Sequence, residues 1–255
     1  MCWSGEASMV LAGVGLGTTA YAVVRREPPA LWGTLGYFSL MEALQAYTYT
    51  VINQCGTPPN EIATYLGYLH IAFQPFFGNA LSMYFIPKDV RKRIQIPVYL
   101  LCFVSAILML IQIYPFEWAG ECTPGSILCG PTLCSVTGSW HIAWEIPVNG
   151  LANKSPWVPF YGSGFPTYAL AMFVLPVLYG SWRVTLYHFI VGPTLARLLS
   201  EGMNEYPAVW CLLSIGFLLI VVKTPVRRWL HVRCWPLWRV LDFKKPKRCG
   251  QAASV

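Results

Sequence analysis

Glu42 and His70 are ionisable residues set inside long apolar runs, and each sits on a polar stripe. Ser39, Gln45 and Tyr49 share a helical face with Glu42; Gln74, Gly67 and Gly78 share one with His70. Ionisable groups inside membrane segments are expensive and face a bundle interior, so each is a candidate binding or relay site. A second pair occurs in His141-Ile142-Ala143-Trp144-Glu145-Ile146-Pro147, which faintly echoes His70-Ile71-Ala72-Phe73-Gln74-Pro75-Phe76. On a helix, His141 and Glu145 at i,i+4 share one face at chelating spacing. With His70 and Glu42 they could complete an N/O-rich site for zinc or iron, and such a metal activates water or oxygen against a membrane-soluble substrate. The competing readings are a pocket for a polar headgroup, a proton relay, or interhelical hydrogen bonds worth about 1 kcal/mol each.

The chemistry is therefore open. The ligand-binding candidates are Glu42, Gln45, His70, Gln74 and Arg197, and the metal candidates are His70, His141, Glu145 and Glu42. The chain has four histidines and no His-Glu-x-x-His motif, so the metal signal is weakly specific. Arg197, Glu201 and Glu205 lie near the end of the sixth apolar run; Arg197 and Glu201 are one helical turn apart, which suits a local ion pair, and the three together suit the charged entry to a central cavity.

The elements that must position these residues are set by composition. The 255 residues are 55% hydrophobic and 11% charged, against about 25% charged in ordinary soluble domains. Apolar runs at about 8–24, 30–52, 61–86, 94–114, 165–182, 184–203 and 206–222 each have the length of a membrane-crossing helix. The expected fold is all-α: a polytopic membrane protein with seven transmembrane helices, N-terminus outside and C-terminus cytoplasmic. Orientation follows from the basic residues, since of the 18 Lys and Arg all except Lys154 and Arg197 fall on one face of that topology. No positive region precedes the first run, which reads as an uncleaved N-out anchor. Residues 1–222 form the transmembrane domain, including an outer cysteine-containing lid at 115–164, and 223–255 form a basic amphipathic tail. The tail's aromatic and basic residues suit an interface with anionic lipids. Nucleic acid is not an expected partner, because no basic soluble domain remains to carry it. The expected location is the plasma membrane or an endomembrane.

Cysteines agree with this plan. Cys55, Cys122, Cys129 and Cys134 cluster in outer loops, where two disulfides are expected in one of three pairings, with zinc as the rival. Cys102 and Cys211 lie in apolar runs as small buried groups. Cys234 and Cys249 are candidate S-acylation sites, and Asn153-Lys154-Ser155 is a candidate glycosylation sequon. The segment 115–164 is too long for a simple connection, so a lid packed on the bundle or a re-entrant half-helix is expected.

Known families narrow this little. Seven runs with Cys55 before the third resemble a G-protein-coupled receptor, but Ile86-Pro87-Lys88-Asp89 stands where that family carries an Asp-Arg-Tyr motif. No retinal is expected, since Lys223 is at the edge of the last run rather than deep within it. The zinc-dependent seven-span hydrolases share the plan without their His-rich motifs being present here. Met41-Glu42-Ala43-Leu44-Gln45, His70 to Phe76 and Trp140 to Pro147 loosely resemble a family of uncharacterised polytopic, seven-span membrane proteins, which implies no activity. The leading expectation is an outward-side intramembrane polar pocket that binds or senses a small or lipidic ligand. A metal-dependent membrane enzyme is second and a transporter third.

Overall fold

The computed structural model describes residues 3–151 and 165–240. Four long helices come first: α1 (Gly5–Val24), α2 (Pro29–Thr50), α3 (Pro58–Tyr84) and α4 (Lys88–Ile111). Ser4 caps α1 by accepting from the Ala7 N–H at 3.2 Å, and proline opens α2 and α3, where a missing N–H costs nothing. Short links make successive helices antiparallel neighbours. The approach of α1 to α2 is close enough that a Cβ on Gly15 would lie 2.1 Å from Ser39 Oγ.

Two further helical rods are interrupted. The first runs α5 (Pro166–Ala169), a π-turn (Leu170–Val174) and α6 (Leu175–Leu178); the second runs α7 (Trp182–Phe189), a π-turn (Ile190–Thr194) and α8 (Leu195–Leu199). Proline removes an N–H and crowds the preceding turn, and a π-turn opens the ladder to accommodate it. Pro176 follows the first π-turn and Pro193 sits within the second. Then come α9 (Tyr206–Lys223), α10 (Val226–Leu230) and α11 (Leu237–Val240).

Between α4 and α5 lies an antiparallel hairpin, β1 (Cys134–Thr137) with β2 (Ile142–Glu145), paired from Cys134↔Glu145 to Thr137↔Ile142. Ile142, Trp144, Ile146 and Val148 are all buried, the alternate-residue pattern of a half-buried strand. Trp144 packs on Gly67 of α3, where an added Cβ would meet its ring at 3.4 Å. The hairpin is tied down by Cys55–Cys134, while Cys122–Cys129 closes a small loop beside it. Asn60 at the start of α3 donates to the Val51 and Ser135 carbonyls and accepts from the Ser135 N–H. The two expected disulfides are thus present. Cys234 is also disulfide-bonded, which removes its thiol from acylation; Cys249, the sequon at 153–155 and the tail beyond 240 lie outside the described residues.

The seven-span, all-α expectation is overturned. Among the described residues two helices, α1 and α4, are long and apolar enough to cross a membrane, and a small sheet is present. The reason differs by helix. α2 and α3 have the length, 22 and 27 residues, but Thr, Tyr, Asn, Gln, Glu and His dilute their apolar content. Pro166–Leu178 and Tyr206–Val222 are apolar but short, about 20 and 26 Å at 1.5 Å per residue against a hydrocarbon core of about 30 Å. Residues 182–199 are broken by the π-turn at Pro193. Two apolar helices allow a membrane location; by length and composition a core helix or a signal sequence passes the same test.

The echo between 70–76 and 141–147 does not survive either. The first stretch is helical and the second extended. In a strand, His141 and Glu145 are about 13 Å apart rather than one turn, so the helical chelate expected of them is not formed.

Candidate functional site

The hairpin's tip is held by a carboxylate. Glu205 precedes α9 as its N-cap residue but makes no side-chain cap bond there. Its carboxylate is buried, 1% exposed, and reaches across to the hairpin. It accepts from the Ser139 hydroxyl at 2.7 Å and from the backbone N–H groups of Trp140 and His141. Gly138 makes this approach possible: a Cβ there would lie 2.5 Å from the His141 carbonyl oxygen and 2.8 Å from Glu205 Cδ.

This clamp places His141 over the C-terminal end of α2. Nδ1 of His141 accepts from the Ile142 N–H at 2.7 Å and lies 2.9 Å from the Tyr49 hydroxyl. A backbone N–H can only donate, so Nδ1 is the bare nitrogen, Tyr49 donates to it, and the ring proton is on Nε2. That Nε2–H is buried and has no hydrogen-bond partner among the described residues. Burial pushes the His141 imidazole down to about 3 from its usual 6.5, so the ring is neutral.

Below Tyr49 on the same face of α2 come Gln45 and Glu42, four and seven residues back, about 6 and 10 Å along the axis. Both are fully buried. Neither Glu42 oxygen and neither polar atom of the Gln45 amide has a hydrogen-bond partner among the described residues. Ser8 on α1 faces Glu42; its oxygen accepts from the Trp3 indole N–H at 2.8 Å, which leaves the Ser8 O–H as a donor toward the carboxyl group. Trp3 in turn stacks on Trp140, with ring centroids 5.7 Å apart, and closes the site beside His141. Glu42 and Glu205 both lie within electrostatic reach of the Tyr49 hydroxyl. The result is a column of Glu42, Gln45, Tyr49 and His141 beneath a disulfide-tied lid. It offers the Glu42 carboxyl group and the Gln45 amide, which both donates and accepts, from below, and the His141 Nε2–H donor from above.

The other candidates go elsewhere. His70 stacks on Tyr37 at 3.8 Å, and Tyr37 donates to the His70 carbonyl; the His70 Nε2 is buried and has no hydrogen-bond partner among the described residues. Gln74 is fully used, accepting from Tyr168 at 2.6 Å and donating to Cys211 Sγ at 3.0 Å. Arg197 donates to the Ser200 carbonyl. The expected Arg197–Glu201 pair is not formed, because α8 stops at Leu199 and Glu201 leaves the helical face. Glu145 sits in β2. Among the described residues no group of three or more His, Cys, Asp or Glu could hold a metal ion, so His70, His141, Glu145 and Glu42 are not gathered into the expected zinc or iron site. Trp3 and Ser8 were not among the sequence candidates, and Glu205 was read only as part of a charged cavity entry with Arg197 and Glu201. The available signal for its clamp was an acid directly before the apolar run of α9.

A buried neutral histidine has a consequence for stability. Below about pH 6.5 the unfolded chain binds a proton at residue 141 that the folded protein refuses until about pH 3. This contribution is complete above pH 6.5 and is lost as pH falls. His141→Asn keeps an acceptor near Nδ1 and removes the titration, so its melting temperature is expected to fall less than that of the wild type between about pH 7 and about pH 4. Parallel curves would show that this imidazole does not resist protonation.

No curated protein and no solved structure matches the chain. A family of unknown function (DUF5765) matches residues 6–231, a stretch that takes in the α2 column, the hairpin and α9. By that match the chain belongs to this family of unknown function.

Proposed function

We propose that the protein is a multi-pass membrane protein that binds a small or lipidic ligand in the column of Glu42, Gln45, Tyr49 and His141. The observation that carries the reading is the set of orphaned polar atoms: both oxygens of Glu42, both polar atoms of Gln45 and Nε2 of His141. Native interiors leave few buried polar groups unpaired, and each one costs about 1–3 kcal/mol. Five on one column is a preformed demand for a partner that donates to Glu42 and accepts from His141. The surroundings support a membrane setting. Only 22% and 28% of the apolar windows of α1 and α4 are buried within the protein, whereas a soluble core helix is mostly covered. Val10 and Ile96, each 67% exposed, belong to those outward apolar faces.

The test is to purify wild type and a Glu42→Leu/Gln45→Leu double variant in detergent, denature each, and identify released small molecules by mass spectrometry. The wild type is expected to release a molecule in near-equimolar amount that the double variant lacks. Equal release from both proteins, or none from the wild type, would count against the reading.

A further inference from the structure

We propose that a second site, at the opposite end of the helices, binds a phosphate group of the kind carried by a lipid headgroup or by free phosphate. The site is a cleft of about 430 Å³ between the start of α7 and the chain around and beyond α10. Trp182, Arg183, Arg228 and His231 are among its lining residues, and among the described residues no carboxylate lines it. Holding Arg183 and Arg228 around one hollow favours an anion between them.

Arg183 is preset for such a ligand. One of its terminal nitrogens donates to the Trp229 carbonyl at 2.8 Å and the His231 carbonyl at 3.2 Å. The guanidinium also lies over the rings of Trp182 and Trp229, 5.4 and 5.6 Å from their centroids. Its Nε is buried and has no partner among the described residues. A fixed fork with unused donors loses little freedom when it grips an oxyanion. Arg228 is exposed, and Glu27 is already engaged by its neighbour Arg227 at 2.8 Å. A doubly charged phosphate matches this surplus better than a singly charged carboxylate. Exposed Trp229 supplies the amphipathic rim found beside headgroups.

The experiment uses the full chain in phosphatidylcholine nanodiscs, titrated separately with dioctanoyl phosphatidic acid and with inorganic phosphate. Saturable, salt-sensitive binding is expected, weakened about tenfold or more by Arg183→Gln or Arg228→Gln. Among the described residues the exposed Arg228 side chain makes no hydrogen bond or ion pair, so Arg228→Gln keeps the test valid if Arg183→Gln fails to fold. Binding of both probes identifies the phosphate group alone as sufficient, and binding of the lipid alone identifies a membrane headgroup; either upholds the site. Absence of saturation with both probes, or Arg228→Gln binding as wild type, would overturn it.

Discussion

Replacing Glu205 with alanine is expected to lower stability by about 1.5–3 kcal/mol, the range for losing hydrogen bonds to a charged acceptor. The carboxylate is the sole acceptor shown for the Trp140 and His141 N–H groups and for the Ser139 hydroxyl. Without it, the N–H of buried His141 loses its partner, as do the N–H of half-buried Trp140 and the hydroxyl of exposed Ser139, and a buried unpaired donor is more costly than the bond itself is stabilising. Glu201→Ala is the control, since Glu201 is exposed and surface changes usually fall within about 0.5 kcal/mol. Denaturant melts of both variants in detergent measure the difference. Hydrogen exchange at the amides of residues 140 and 141 localises it, because a clamp loss raises exchange there first. An alanine variant that melts with the wild type and keeps these amides protected would remove the clamp from the account.

The second large effect concerns the cross-link that positions the same hairpin. Cys55 and Cys134 are separated by 79 residues and Cys122 and Cys129 by 7. By loop-closure entropy the first bridge is worth about 4.5 kcal/mol and the second about 2.4 kcal/mol. The Cys55→Ser/Cys134→Ser variant is therefore expected to lose roughly twice the stability of the Cys122→Ser/Cys129→Ser variant, read from paired denaturant melts. The first also frees β1 from the start of α3, so it should raise protease cleavage within the hairpin. The reverse order of destabilisation would show that the hairpin is held by Asn60 and packing, and not by the bridge.

Helix positions were legible in the sequence to within a few residues. The run at about 30–52 became Pro29–Thr50 and that at about 61–86 became Pro58–Tyr84. What those runs do was less legible. An apolar run long enough to be a span and a buried helix carrying Glu42, Gln45, Thr48 and Tyr49 differ only in which polar side chains are sheltered by neighbours. The hairpin was hidden by a competing pattern. Ile142, Trp144, Ile146 and Val148 alternate as a strand should, yet His141 and Glu145 also satisfy helical spacing, and the tertiary partners on α3 and α9 select the strand. Glu42 and Gln45 were readable as a stripe because they lie on one helix. His141 joins them only through a disulfide and a carboxylate from other parts of the chain. Glu205 left almost no trace because its partners are backbone amides, which no side-chain pattern marks.

The central claim is that Glu42, Gln45 and His141 Nε2 are paired by a bound molecule. The most direct test is an experimental structure of the purified full chain, at a resolution that shows ordered water, focused on the space between α1, α2 and the hairpin tip. The account predicts connected density, larger than a water, within hydrogen-bond distance of the Glu42 carboxylate and the His141 Nε2–H. A column in which Glu42, Gln45 and His141 pair with one another and nothing lies between them would contradict it.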